Sequence, residues 1–115
     1  MRKIYFAAMI LALCLVSCKV QKPLYEWGQY DDAIYAYTKG NDEKSIENLI
    51  TLYEKIITKP KGSRQVPPPG VCADLGYLMF KQGEKDKGKE LLNKEIQLYP
   101  ESKIFIDGVL KRLEK

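Results

Sequence analysis

The chain has no histidine in its 115 residues. That absence removes the side chain whose ordinary pKa lies nearest neutrality, and with it the commonest metal-binding imidazole. Ser-His-Asp and Cys-His nucleophile arrangements are impossible without it. Cysteine is nearly as scarce: Cys14, Cys18 and Cys72 only. The first two fall in or beside an N-terminal apolar stretch, so Cys72 stands alone in the body of the chain and no internal disulfide is expected. Placed at an apolar helical position, it reads as a small core hydrophobe rather than a reactive thiol. Long hydrophobic runs are missing too. The longest is Ile4 to Val16, which as a helix reaches only ~20 Å against a hydrocarbon core of ~30 Å. The glycines are scattered, so no phosphate-cradling loop can be read. No stretch reads as a strand, and no soft or imidazole metal cluster is present.

What is present begins at the N-terminus. Arg2 and Lys3 precede the apolar run, which fits the h-region of a secretory signal. Leu15-Val16-Ser17-Cys18 then resembles a bacterial lipobox, with cleavage between Ser17 and Cys18 and a covalent lipid on Cys18. The expected order is a signal peptide over 1–17, a lipidated tether over 18–26 and a helical-repeat-like domain over 27–115. No cofactor is expected beyond that lipid. Two or more acyl chains hold a protein to a membrane stably. Lys19, where an aspartate would resemble an inner-membrane retention signal, favours the outer membrane. Val20-Gln21-Lys22 lacks the acidic cluster of surface-exported lipoproteins, which favours the periplasmic face. Arg2 and Lys3 leave with the signal, taking the formal charge from +4 to +2. With both signs interspersed, no basic face of the kind nucleic-acid readers carry is expected.

The rest reads as five helices. Trp27, Tyr30, Ile34 and Tyr37 recur at steps of three and four, predicting a helix over roughly 30–39 with Gly40 at its left-handed end. Asn41 and Asp42 are expected to cap a second helix over 43–58, striped by Ile46, Leu49, Ile50, Tyr53 and Ile57. Pro60 stops it. The connector Lys59 to Gly70, KPKGSRQVPPPG, reads as a proline-stiffened link. A polyproline II segment offered to a partner is the sharper alternative, a basic loop near anionic headgroups is a third, though three charges attract only weakly, and Pro69 suits the first position of the next helix.

Residues 71–102 carry the most specific pattern, which resembles a tetratricopeptide repeat, a helix–turn–helix of about 34 residues. Leu75-Gly76 stands in the first helix, Gly83 in the turn, Gly88 at the small position of the second helix, Leu92 at its large apolar position, and Pro100 at its end. Small residues at 76 and 88 would let two helices approach closely. Cys72, Met79 and Glu95 depart from the pattern. Gly28, Tyr30, Ala33, Ile34 and Tyr37 resemble the second helix of a degenerate repeat. A last helix over 103–113, striped by Phe105, Ile106, Val109, Leu110 and Leu113, reads as a terminal cap. The expectation is thus all-α, built of tetratricopeptide-like antiparallel hairpins.

Little chemistry emerges. Asp31 and Asp32 diverge by about 100° on a helix and cannot share a target. Lys85, Lys87, Lys89 and Lys94 alternating with Glu84, Asp86, Glu90 and Glu95 read as a solvated face. The aromatic-rich stretch Pro23–Gly40 remains. Tyr30 and Tyr37 lie on the core stripe, while Tyr25, Trp27 and Tyr35 are the candidate interaction residues.

Taken together, the lipobox, YEWGQYDDAIYAY, the proline-rich connector, ADLGYLMFKQG and LYPES resemble a family of small Gram-negative lipoproteins bearing a domain of unknown function of type 4810. Genes for such proteins often neighbour those of two other lipoproteins, one resembling the curli-secretion pore subunit. The resemblance implies a co-assembled envelope complex, and no enzymatic activity. Two functions stay open: a non-enzymatic, membrane-tethered scaffold binding an envelope protein such as a pore-forming lipoprotein, or a lipoprotein binding glycans or small ligands through exposed aromatics.

Overall fold

The computed structural model describes residues 1–14 and 19–115, so Leu15 to Cys18, and with them the expected cleavage and lipidation positions Ser17 and Cys18, lie outside the described residues. Among the described residues there are helices and no strands: α1 (Arg2–Cys14), α2 (Tyr30–Gly40), α3 (Glu43–Thr58), α4 (Val71–Lys81), α5 (Lys85–Leu98) and α6 (Lys103–Leu113), with a 3-10 turn at Pro100–Ser102. The chain is all-α. In α1 the apolar Ile4, Phe6 and Ile10 are each more than half exposed. No described helix is long and apolar enough to cross a membrane.

The five later helices form antiparallel hairpins, α2 with α3 and α4 with α5, and α6 folds back on α5. Local chemistry sets their ends. The Asp42 carboxylate accepts from the Ser45 amide at 2.7 Å and caps α3. The left-handed residue between α2 and α3 is Asn41, with φ +44°, one place later than expected; Gly40 stays helical. Asparagine tolerates that conformation because its short polar side chain finds local partners. Gly83, at φ +95°, ends α4 with paired bonds: its amide donates to Phe80 O at 3.2 Å and that of Glu84 to Met79 O at 3.0 Å. That reciprocal pairing is a Schellman motif, and only glycine takes the left-handed position without cost. Gly70, rather than Pro69, sits at the start of α4. Pro100 opens the 3-10 turn that halts α5.

The core lies between α3 and α4. Leu49, Tyr53 and Ile56 meet Val71, Leu75, Leu78 and Met79, and Tyr30, Ala33, Ile34 and Tyr37 of α2 close over them. Each fully buried side chain of this kind contributes roughly 1.5–3 kcal/mol. α2 therefore packs as the first helix of a hairpin with α3. The expectation that it resembles a second helix is corrected, because no helix precedes it among residues 19–29. Gly28 is not a packing glycine. It lies before the helix at φ +58°, and a Cβ there would meet only Leu52 Cδ1, at 3.7 Å.

Gly76 and Gly88 bring the α4 and α5 backbones together. A Cβ on Gly76 would lie 2.8 Å from Gly88 O, and one on Gly88 would lie 2.7 Å from Gly76 O and 3.0 Å from Phe80 N. Leu92 lies beside this contact, its Cγ 3.0 Å from a Cβ on Gly76, while Leu75 faces the α3 side; each is 1% exposed. Cys72 is fully buried, and burial, helped by the nearby Glu95, pushes its thiol up to about 11. It is a packing residue with little thiolate character.

Glu95 corrects the reading of α5 as a solvated face. It is 2% exposed, and its Oε1 accepts from the Gly70 amide at 2.7 Å. A carboxylate there answers both a free amide and the positive end of the α4 dipole. Its Oε2 has no partner. Beside it the Tyr99 hydroxyl donates to Pro67 O at 2.6 Å, and Pro67 and Pro68 are buried. The second half of the connector is thus fastened to α5 and is not a segment offered outward.

Two glycines give an opposed pair of expectations. Gly88→Ala gains up to ~1 kcal/mol of helix propensity, but its methyl must displace backbone atoms, so a net loss of ~1–3 kcal/mol is expected. Gly108→Ala, where a Cβ meets nothing within 4 Å, should stabilise by up to ~1 kcal/mol. Thermal melts of both variants check this: Tm should fall for the first and rise for the second.

Candidate interaction groove

α6 does not seal the structure. Of its expected stripe only Ile106 is buried; Val109, Leu110 and Leu113 are half-buried. Phe105 is 68% exposed and Ile104 88%. The cap reading is corrected to that extent: α6 leans on α5 through Ile106 and leaves an open space between itself and α4. That space is a groove of about 420 Å³, walled by Ala73, Asp74 and Tyr77 of α4 and by Phe105, Val109, Arg112 and Leu113 of α6, with Leu92 of α5 as its floor. Across the Asp74–Tyr77 ridge lies a second hollow of about 210 Å³, bounded by Ile34 and Tyr37 of α2 and by Leu49 and Tyr53 of α3. One face of α4 is therefore flanked by two apolar hollows.

The ridge carries the groove's polar groups. The buried Tyr53 hydroxyl donates to Asp74 Oδ2 at 3.2 Å. Burial, and then the neighbouring Asp74 charge, hold the Tyr53 phenol far above its usual range. Loss of hydration likewise raises Asp74 above the ordinary carboxylate value, and the Tyr53 hydrogen bond opposes it. Lys81 places its ammonium 5.3 Å from the centre of the Tyr77 ring. Arg112, on the opposite wall from Asp74, adds a permanent positive charge. An apolar trough with one acidic and one basic wall suits an extended or helical peptide segment: its apolar side chains fill the floor while charges fix its direction.

The residues singled out in the sequence lie elsewhere and do not form one platform. Trp27 packs against Tyr30 with ring centres 5.0 Å apart and planes tilted by 60°, and Tyr30 continues to Tyr53 at 6.0 Å. Trp27 thus borders the core and is 39% exposed. Tyr25 is half-buried, and its hydroxyl accepts from Arg64 Nη1 at 2.9 Å. Tyr35 is 64% exposed, with Lys39 Nζ 5.6 Å from its ring centre. On a helix it sits ~140° from Tyr30, so it faces away from the Trp27–Tyr30 pair. Gly76, Gly83, Gly88, Leu92 and Pro100 shape the α4–α5 pair and Leu75 packs in the core against α3, although Leu92 also reaches the groove. Sequence reasoning missed Tyr77 and the outward turn of Phe105. The available signal was the doublet Ile104-Phe105 beside Ile106: three consecutive apolar residues cannot all face inward on a helix.

The groove's carboxylate makes its own prediction. A raised pKa means that the folded state binds the Asp74 proton more tightly than the unfolded state. This contribution is therefore complete below the unfolded value and is lost as pH rises through the folded one. Asp74→Asn keeps an acceptor for Tyr53 and removes the charge. It should raise Tm at pH 7, and the gain should shrink towards pH 4. An equal difference at both pH values, measured by thermal melts, would mean that the carboxylate is fully hydrated.

No curated protein and no solved structure matches this chain. A family model does match, over residues 24–109, from the segment just before Tyr25 through most of α6. The chain belongs to the family defined by the domain of unknown function DUF4810.

Proposed function

We propose that the chain is a non-enzymatic, lipid-anchored envelope protein acting as a protein–protein interaction scaffold, with the α4–α6 groove as its docking face. The observation that carries this reading is the exposure of Phe105 and Ile104 beside an open apolar trough whose two walls bear opposite charge. Exposed apolar surface next to a concave, polar-rimmed groove marks a site that a partner covers. A tetratricopeptide-like hairpin arrangement is in keeping with the backbone contact of Gly76 and Gly88 and with the turn at Gly83. The partner is an envelope protein such as a pore-forming lipoprotein. The anchor is a covalent lipid on Cys18, at the periplasmic face of the outer membrane; its support is the order of Arg2-Lys3, the apolar run and Leu15-Val16-Ser17-Cys18. Recognition of a glycan by stacked aromatics is the less supported reading, since Tyr25, Trp27 and Tyr35 are separately engaged or face apart.

Two measurements check the proposal. Cys18→Ser should abolish palmitate incorporation, and labelling that persists would sink the anchor. A photo-crosslinking residue in place of Tyr77 should join the protein to one envelope partner in intact cells. Phe105→Glu, a change on an exposed side chain, should reduce that product about tenfold with Tm unchanged, since losing one buried aromatic anchor costs at least ~1.4 kcal/mol. A crosslink indifferent to Phe105→Glu would place docking on another face.

A further inference from the structure

The segment that leads from the anchor into the domain is not a free linker. The Ser63 amide donates to Pro23 O at 3.0 Å, and the Arg64 amide to Leu24 O at 3.2 Å. The Arg64 side chain donates to the Tyr25 hydroxyl, and Lys61 Nζ lies 3.9 Å from Glu26 Oε1. Gly62, at φ +91°, makes this pairing possible: a Cβ there would stand 2.7 Å from Leu24 O and 2.9 Å from Tyr25 Cα. Residues 23–26 are therefore clipped along 61–64. From Cys18 to Pro23 the chain reaches at most ~18 Å even when fully extended, which keeps the connector close to whatever holds Cys18.

Charge gathers at the same place. Lys19, Lys22, Lys59, Lys61 and Arg64 are all exposed. Residues 59–70 contain no carboxylate, and residues 19–28 contain only Glu26. The other acidic groups nearby are Asp31 and Asp32 in the first turn of α2, and Glu95, which is buried against Gly70 at the connector's end. Asp32 shares a cleft with Lys55, so Lys55 is not counted with the patch. The clip brings Lys61 and Arg64 beside Glu26 and next to Lys22, and Lys59 lines the same hollow as Lys61 and Glu26, so charges that look interspersed along the sequence share one edge.

We propose that this connector edge is a membrane-facing surface, and that the anchored domain rests with Lys59, Lys61 and Arg64 on the headgroups of an anionic phospholipid bilayer. The proposal rests on the reading that Cys18 carries lipid. The acyl chains hold the protein to the membrane. The cations need only orient it, so weak attractions suffice at the high local concentration the tether imposes. Contacts of this kind are screened by salt, because the Debye length shrinks from ~10 Å at 0.1 M to ~3 Å at 1 M.

The test uses the lipidated mature protein in vesicles of phosphatidylcholine, alone or mixed with phosphatidylglycerol. Exposed lysines are labelled with an amine-reactive reagent and read by mass spectrometry, which also reports the acyl mass on Cys18. On the anionic vesicles, labelling of Lys59 and Lys61 should fall about threefold and recover at high salt. Lys81 and Lys85, at the far end of α4 from the connector, should label equally on both. Gly62→Val, which forces Leu24 away, should restore labelling of Lys59 and Lys61. Arg64→Gln, which leaves the backbone pairing in place, should restore part of it and covers the case in which Gly62→Val does not fold. Equal labelling of Lys59 and Lys61 on both vesicles, with the acyl mass present, overturns the proposal and leaves the anchor standing. Absence of the acyl mass overturns both. Protection that survives Arg64→Gln in full and is insensitive to salt also overturns it, since shielding would then come from the anchor alone.

Discussion

The structure depends on one contact, the approach of two backbones at Gly76 and Gly88. Each glycine's missing Cβ is replaced by the carbonyl oxygen of the other, so neither position tolerates a side chain unless the helices separate. That separation sets everything built on α4. Its buried side turns Val71, Leu75, Leu78 and Met79 towards α3. Its open side presents Ala73, Asp74 and Tyr77 to the groove. The groove is as wide as it is because α6 follows α5, and α5 is drawn in tightly at the glycine pair. A larger residue at 76 or 88 would therefore alter core and groove together, whereas a change at Phe105 touches the groove alone.

Much of this was legible because it is local. Helix spans follow from apolar spacing at three and four, and their ends follow from Asp42, Gly83 and Pro100, each acting within a few residues of itself. The glycine pair was legible because the spacing of 76, 83 and 88 matches a known hairpin. Three features were not. Glu95 sits among alternating lysines and glutamates, and nothing nearby marks it as the acceptor for Gly70, a position 25 residues away. The outward turn of Phe105 depends on which of three adjacent apolar residues meets α5, a choice made by tertiary packing. The pairing of α2 depends on which neighbour it meets. Its stripe fits either helix of a hairpin, and the lack of a helix over 19–29 settles the matter.

The aromatic stretch shows the same division. Composition alone suggests one binding surface between Pro23 and Gly40. The fold distributes its members: Tyr30 and Tyr37 into the core, Trp27 against its edge, Tyr25 onto Arg64, and Tyr35 outward beside Lys39. A periodic pattern states which residues share a helix face. It does not state whether that face meets protein or water, and residues before the helix, such as Tyr25 and Trp27, have no period at all.

The connector links these parts. Its first half is bound to the entering segment through Ser63 and Arg64, and its second half to α5 through Pro67 and Gly70. Three of its four prolines, Pro67 to Pro69, follow one another, which fixes φ and removes slack between the two fastenings. The result is a strut. The contacts run from Leu24 against Gly62, along the prolines, to the start of α4, where Glu95 accepts from Gly70. From there α4 leads to the Gly76–Gly88 contact, which cannot yield without opening the helix pair. The segment by which the chain enters the domain is therefore bound to the same connector that positions α4, so the two cannot move independently without breaking the Ser63 and Arg64 pairings.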